Sequence, residues 1–381
     1  MGKTIGVLII FLFSISGQAQ DLRYSKEKGI VISSADSLFF MNMGVRFQTL
    51  YRANYGIDEG NFSDRFLIRR ARLKFDGHAY SKKWVYKIEL GLSNSDIGPA
   101  IPENNTTANV ILDAILKYKF HPGWEFWLGQ AKLPGNRERV ISSQKLQFVD
   151  RSAVNGRFNI DRGMSIQLHH KHEIGRAVFK EIVSMSTGDG RNLTVDNIGG
   201  YEYTLRFEYQ PFGSFADKGD YFGSDLVREP KPKLSIGVVY DQNNNASRAR
   251  GFTGDFYSEY HDLKTYFVDA MFKYNGFSAM FEYANKRTDG SPVTSEGAFY
   301  TGNGVNFQSG YLFINNFEIA GRYTDISPEK TTGYDGFSEY TLGMSKYIEG
   351  HKLKVQSDLT YRDQRLDEDA YIFRFQVEFA F

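Results

Sequence analysis

The last eleven residues, YIFRFQVEFAF (371–381), decide the fold. Tyr371, Phe373, Phe375, Val377, Phe379 and Phe381 share one parity, and Ile372, Arg374, Gln376, Glu378 and Ala380 share the other. Successive side chains of a strand point to opposite faces, so this segment has one aromatic face and one largely polar face. The same signature opens the repeating region. There Met41, Met43, Val45, Phe47 and Tyr51 alternate with Asn42, Gly44, Arg46, Gln48 and Arg52. It recurs where Leu112, Ala114, Leu116, Tyr118 and Phe120 alternate with Asp113, Lys117 and Lys119. It recurs again where Tyr203, Leu205, Phe207 and Tyr209 alternate with Glu202, Thr204, Arg206 and Glu208.

Marking every such segment predicts about sixteen strands. They lie near residues 41–54, 65–77, 83–93, 109–120, 124–132, 163–171, 176–186, 201–210, 233–241, 264–275, 277–286, 303–313, 316–325, 339–347, 352–362 and 371–381. Their connections alternate between short and long. Ser81–Lys82, His121–Gly123, Asn275–Gly276, Asn315–Asn316 and Glu349–Gly350 are short, and polar stretches such as 94–108 and 133–162 fall between them. A rim of short turns opposite a rim of long loops, with an even strand number, is the pattern of an all-β, transmembrane antiparallel barrel. Lipid cannot satisfy an exposed strand edge, so the sheet must close. Residues 211–232 (PFGSFADKGDYFGSDLVREPKP) are long where a short turn is expected, and read as an extended loop on the periplasmic side.

Composition agrees with strands that face lipid on one side and water on the other. The 381 residues include 32 Phe, 24 Tyr and 37 Gly, yet mean hydropathy is only −0.42. No cysteine is present, so no disulfide framework is available. With 46 basic and 45 acidic side chains, global charge points to no nucleic-acid partner. At the N-terminus, Lys3 precedes an apolar run from Ile5 to Phe13 and then small residues up to Ala19. That is a secretory signal peptide over residues 1–19, too short to span a bilayer as a helix. The expected organisation is therefore signal peptide 1–19, periplasmic segment 20–40 and outer-membrane barrel 41–381, in a Gram-negative-type bacterium. No nucleotide loop or nucleophile elbow occurs, so an enzyme is not expected.

Several stretches together resemble the phosphate-selective porin O and P family. They are FLIRRARLKFDGHAYSKKWVYKIEL (66–90), FWLGQAKLPGNRERVIS (126–142), FVDRSAVNGRFNIDRGMSIQL (148–168), MSTGDGRN (185–192), YTLRFEYQPFG (203–213) and FRFQVEFAF (373–381). The resemblance implies a sixteen-stranded porin, commonly homotrimeric, with a basic lumen that passes anions such as phosphate. Its partners would be outer-membrane lipid, small anionic solutes and the barrel-assembly machinery, engaged through the strand ending at Phe381. No cofactor is expected. A general or sugar porin is the alternative, and a plugged structural barrel or an outer-membrane enzyme stands behind it.

A pore selects by width and wall charge. Arg70, Arg72 and Lys74 recur at spacing two and would stack three cations on one lumen face. Arg46 and Arg52, Lys87, Lys117 and Lys119 extend that basic wall. Arg69 has the opposite parity and reads as an interfacial residue, with Leu67 beside it on the lipid face. The long stretch 133–162 adds Arg137, Arg139, Lys145, Arg151 and Arg157, and is the candidate constriction loop. Glu89, Asp113, Glu208, Asp269, Glu318 and Asp358 have lumen parity too, so part of the basic wall is expected to be ion-paired. His169 points opposite to His170 and His172, so this cluster reads as a turn and not as a metal centre.

Overall fold

The computed structural model describes residues 21–25, 29–97, 109–194, 196, 197 and 200–381. The signal peptide expected at 1–19 lies outside them. The strands are β1 (Asp21–Ser25), β2 (Gly29–Ser33), β3 (Phe40–Gly56), β4 (Phe62–His78), β5 (Trp84–Gly91), β6 (Ile111–His121), β7 (Trp124–Lys132), β8 (Arg162–Ile174) and β9 (Ala177–Ser186). They continue as β10 (Glu202–Gln210), β11 (Lys233–Arg248), β12 (Phe256–Tyr274), β13 (Phe277–Thr288), β14 (Gly302–Leu312), β15 (Phe317–Pro328), β16 (Phe337–Glu349), β17 (Leu353–Gln364) and β18 (Ala370–Ala380). Among the described residues, three short α-helices accompany them: α1 (Asn94–Ile97), α2 (Arg137–Val140) and α3 (Ala153–Phe158).

From β3 to β18 each strand pairs antiparallel with the next, and β18 returns to β3 through Arg374↔Arg52 and Ala380↔Arg46. The result is a closed sixteen-stranded barrel, with strands at the sixteen places that alternation marks. Its burial is inverted relative to a soluble protein. Leu205 is 50% exposed on the outer face, while Glu208, three residues further along the same strand, is fully enclosed inside. Aromatic rings gather at both rims, as interfacial girdles do. Trp84 stacks on Tyr118 at 4.3 Å near the short turns, and Tyr323, Tyr340, Tyr361 and Tyr371 follow one another at 5.2–6.3 Å near the long loops.

The expected periplasmic segment is partly sheet. Where β18 stops, β2 takes over the edge of β3, pairing from Ile30↔Met43 to Ser33↔Phe40, and β1 folds back on β2. Phe381 and Val45 exchange two backbone hydrogen bonds of 3.1 and 3.2 Å at the junction. Gly29 adopts φ +82° there, and a Cβ would lie 2.6 Å from the Met43 carbonyl oxygen. Only glycine fits that approach.

A β-bulge corrects the face assignment in β4. Gln48 pairs with Arg70 but Thr49 pairs with Ile68, which leaves Arg69 as an extra residue. The slip inverts the faces on the bulge's N-terminal side. Leu67 pairs with buried Leu50, and Phe66 and Ile68 take the outward positions. Arg69 turns into the lumen, where it reaches Asp150 at 3.1 Å, instead of snorkelling at the lipid interface.

Two connections fold into the bore from opposite ends. The first spans residues 133–161, between β7 and β8. Ser152 caps α3 by accepting from the Asn155 amide. Leu133, Val154, Phe158 and Ile160 then pack against Val239, Phe267, Ala284, Ile326 and Phe337 of the wall. The lumen side of β11–β16 thus carries a second, internal apolar core. Phe158 is fully buried in it, and its truncation to alanine would cost about 3–5 kcal/mol. The second connection is 211–232, the stretch that breaks the short-turn rule. Its Phe215 and Tyr221 pack with Ile141, Leu146, Met271 and Met280. The two loops meet inside the barrel, where the Gly223 amide donates to the Lys145 carbonyl at 2.8 Å.

Candidate permeation site

The loops cover much of the lumen face of β11–β17 and leave two cavities, one reached by β3, β4, β6–β8 and β16–β18 and the other by β5–β10. One, of about 520 Å³, opens toward the long loops. The other, of about 1200 Å³, opens toward the short turns. Lys132 lines both and stands between them. Its ammonium donates to the carbonyls of Arg139, Val140 and Ile141 at 2.7–3.2 Å, so it is fixed by backbone dipoles and not by a carboxylate.

The long-loop cavity is lined by thirteen Arg or Lys side chains and four carboxylates. The bulge and α1 bring some of these into pairs. Arg69 and Arg70 share Asp150 at 3.1 and 3.4 Å, and Arg70 also donates to Gln48 at 2.6 Å. Arg72 is held by Glu89 at 2.9 Å and by Asp96 of α1 at 2.7 Å. Arg139 pairs with Asp161. Arg362 pairs with Glu339 at 2.6 Å, and Arg374 with Asp358 at 2.7 Å.

Among the described residues, six cations of this cavity have no carboxylate within ion-pair distance. They are Lys132, Arg52, Arg151, Arg157, Arg191 and Arg250. Arg52 donates to the Asn54 amide oxygen at 3.1 Å. Arg151 donates to the carbonyls of Glu138 and Ile141, both at 2.8 Å. Arg157 lies 5.5 Å from the Tyr300 ring and 5.8 Å from the Phe337 ring. Arg250 approaches Tyr300 from 5.8 Å, and Arg191 donates to the Asp96 carbonyl. These contacts orient the guanidiniums and leave their charge uncancelled.

The short-turn cavity is lined by ten Lys or Arg side chains and three carboxylates. Lys87 pairs with Glu89 at 2.7 Å and with Asp113. Lys119 is 3.9 Å from Glu125. Lys117 sits 3.3 Å from the centre of the Trp127 ring, and Lys145 sits 3.6 Å from that of Phe222. A cleft with one sign of charge and low-dielectric walls focuses the field on the solute path.

The structure therefore gathers most of the residues singled out by sequence, with three placed elsewhere. Arg46 is enclosed under the first loop, bound to Glu378 at 2.7 Å and to Ser143 at 3.0 Å. Lys74 lines neither cavity and pairs with Asp76 at 2.7 Å. Arg137 belongs to the inward loop but faces the wall. It is completely buried, with Asp269 at 2.7 Å, Ser235 at 3.0 Å and the Asp220 carbonyl at 3.1 Å. Sequence reasoning did not single out Lys132, Arg162, Arg191, Arg250, Arg362 or Arg374. Alternation carried a signal for Arg362 and Arg374, but Arg191 and Arg250 come from loops without periodicity.

A closed sixteen-stranded barrel with aromatic rims and an inward loop beside charged cavities defines an outer-membrane porin. The chain belongs to the phosphate-selective porin O and P family, whose sequence profile matches residues 41–381. A protein of Aquifex aeolicus (strain VF5), described only as uncharacterized, is 23% identical over 372 residues, covering 88% of this chain and 85% of that protein. Among solved structures, OmpTdeltaL8, a loop L8 deletion mutant of the Vibrio cholerae outer membrane protein OmpT, superposes with a TM-score of 0.59 at 12% identity, covering 90% of this chain and all of that one. The anion-selective porin from Comamonas acidovorans gives 0.57 at 12% identity, covering 90% and 99% of the two chains. At these identities the likeness is one of fold.

Proposed function

We propose that this porin is a passive diffusion channel for small anions, phosphate among them. The observation that carries the reading is the set of six cations in the long-loop cavity that no carboxylate neutralises. An arginine offers a planar fork of donors to an anionic oxygen, and the resulting hydrogen bonds are charge-assisted. Arg151 and Arg157 project from the inward loop, while Arg52, Arg191 and Arg250 approach from the surrounding wall and loops. An anion in this cavity meets donors from several sides. Lys117 and Lys145 continue the cationic lining toward the short turns.

A sugar porin would need open aromatic faces for stacking. Trp127 has His169 stacked at 3.9 Å and the Lys117 ammonium at 3.3 Å from its ring. Two groups that close cannot share one face, so both faces are taken. The same reading includes export with removal of residues 1–19 and assembly as a homotrimer. N-terminal sequencing of the membrane-inserted protein, expected to begin at Gln20, and chemical crosslinking test these two points.

Planar-bilayer recording tests the proposal itself. In a potassium chloride gradient the reversal potential takes the sign set by chloride, and added phosphate lowers the chloride current by competing for the cationic cavity. A reversal potential of the opposite sign, or no conductance, overturns it.

A further inference from the structure

Near the short-turn rim, on the outer wall, β8 and β9 place two imidazoles and a carboxylate together. His170 and His172 are two residues apart on β8, so both project outward, whereas His169, just before them, turns to the lumen and stacks on Trp127. Glu181 of β9 is the direct cross-strand partner of His170. Its Oε2 lies 3.0 Å from His170 Nδ1 and 3.6 Å from His172 Nδ1. Among the described residues this is one group of three whose donor atoms all lie within 4.8 Å of one another.

We propose that His170, His172 and Glu181 bind a divalent transition-metal ion, zinc by the chemistry of the donors. Zinc takes imidazole nitrogen and carboxylate oxygen at about 2.0–2.2 Å in tetrahedral sites, which puts neighbouring donors about 3.3 Å apart. The observed 3.0 and 3.6 Å spacings bracket that value. A second observation points the same way. His172 Nδ1 and Glu181 Oε2 are shielded from solvent yet make no hydrogen bond. Buried polar atoms left without a partner are costly, and a metal ion satisfies both at once. The rings are also held in place. His170 stacks on Trp124 at 4.0 Å and His172 on Phe179 at 5.1 Å, which fixes the planes of the donors.

Three protein ligands leave the fourth position of a tetrahedral ion for water or for a donor from outside the barrel. The three donor groups carry the outward parity of β8 and β9, and the short-turn cavity reaches the site at its edge, at His170. An ion here would tie β8 to β9 at the rim.

Titration of the full barrel in detergent with zinc chloride, followed by calorimetry, tests the proposal. One ion per chain is expected for the wild type. The affinity should fall at least about 100-fold in His170→Ala/His172→Ala, since even outer-shell partners of metal ligands are worth 10–100-fold. Glu181→Gln keeps the shape of the side chain and should weaken binding in the same direction. Wild-type thermal unfolding of the metal-free variants confirms that they fold. Cobalt added to the wild type gives a second readout, with intense visible absorption expected for four-coordination. Equal zinc affinity in wild type and variants, or a weak six-coordinate cobalt spectrum, overturns the proposal and leaves the cluster as a histidine–glutamate contact.

Discussion

On the arc from β11 to β17, Asp269, Glu318 and Lys354 point into the bore and are nevertheless sealed from water. On the arc from β5 to β8, Lys87, Lys117 and Lys132 point into the same bore and line open cavities. Both arcs alternate polar and apolar residues, and both carry charges on the inner parity. What separates them is the cover. Residues 133–161 and 211–232 lie against the first arc, and its charges must then find partners, because a buried unpaired charge is expensive. Asp269 is accordingly held by Arg137 of the first loop and by Arg206 of the adjoining β10, each at 2.7 Å. The Ser224 carbonyl takes the Lys273 ammonium at 2.7 Å, and the Ser224 hydroxyl donates to Glu318 at 2.6 Å. The uncovered arc faces water and keeps several cations uncancelled. Uncancelled positive charge is thus found in the two cavities that the loops leave open, and the covered wall holds the loops in place.

The largest effect that would break this contrast is expected at Arg137, which joins the inward loop to Asp269, Ser235 and the second loop. Arg137→Ala removes one of the two arginines that hold the buried Asp269 and should cost about 3–5 kcal/mol. It should also release both loops from the wall. Thermal unfolding of the detergent-solubilised barrel should show the loss, and single-channel recording should show a larger, noisier conductance. A stable variant with wild-type conductance would mean that the loops are held by other contacts.

A smaller effect is expected at the second loop alone. The Tyr221 hydroxyl lies 3.1 Å from both oxygens of Glu208. Tyr221→Phe removes a hydrogen bond to a charged group and should cost about 1.5–3 kcal/mol. The same unfolding experiment measures it, with little change expected in conductance. On the open arc, Lys119 and Glu125 are 3.9 Å apart, the lysine half exposed and the glutamate a third exposed to solvent. Lys119→Gln should change stability by no more than about 1 kcal/mol, because solvent screens such pairs. A larger loss would place Lys119 in a tighter network than its geometry indicates.

The barrel was legible in the sequence because alternation repeats sixteen times and the C-terminal strand shows it over its whole length. The position of Arg69 was not, because a single extra residue in β4 inverts parity without any local signal. The inner core was not legible either. Val239, Phe267 and Ile326 read as ordinary apolar strand residues, and nothing in a period of two distinguishes an inner apolar seat from a lipid-facing one. Residues 211–232 announced themselves only as too long for a turn. For the candidate site, Arg52, Arg151 and Arg157 were legible as cations near the pore. Which cations are cancelled depends on carboxylates brought from other strands or loops, such as Asp96 for Arg72 and Asp150 for Arg70. Those pairings exist only in three dimensions.

The most direct test compares two sets of substitutions by reversal potential in a salt gradient. One set removes uncancelled cations, as Arg151→Gln/Arg157→Gln/Arg250→Gln. The other removes a whole ion pair at no net charge, as Arg362→Gln/Glu339→Gln. The account predicts that the wild type prefers anions, that the first set loses most of that preference, and that the second keeps it. Loss of selectivity in the paired set with none in the uncancelled set would contradict it.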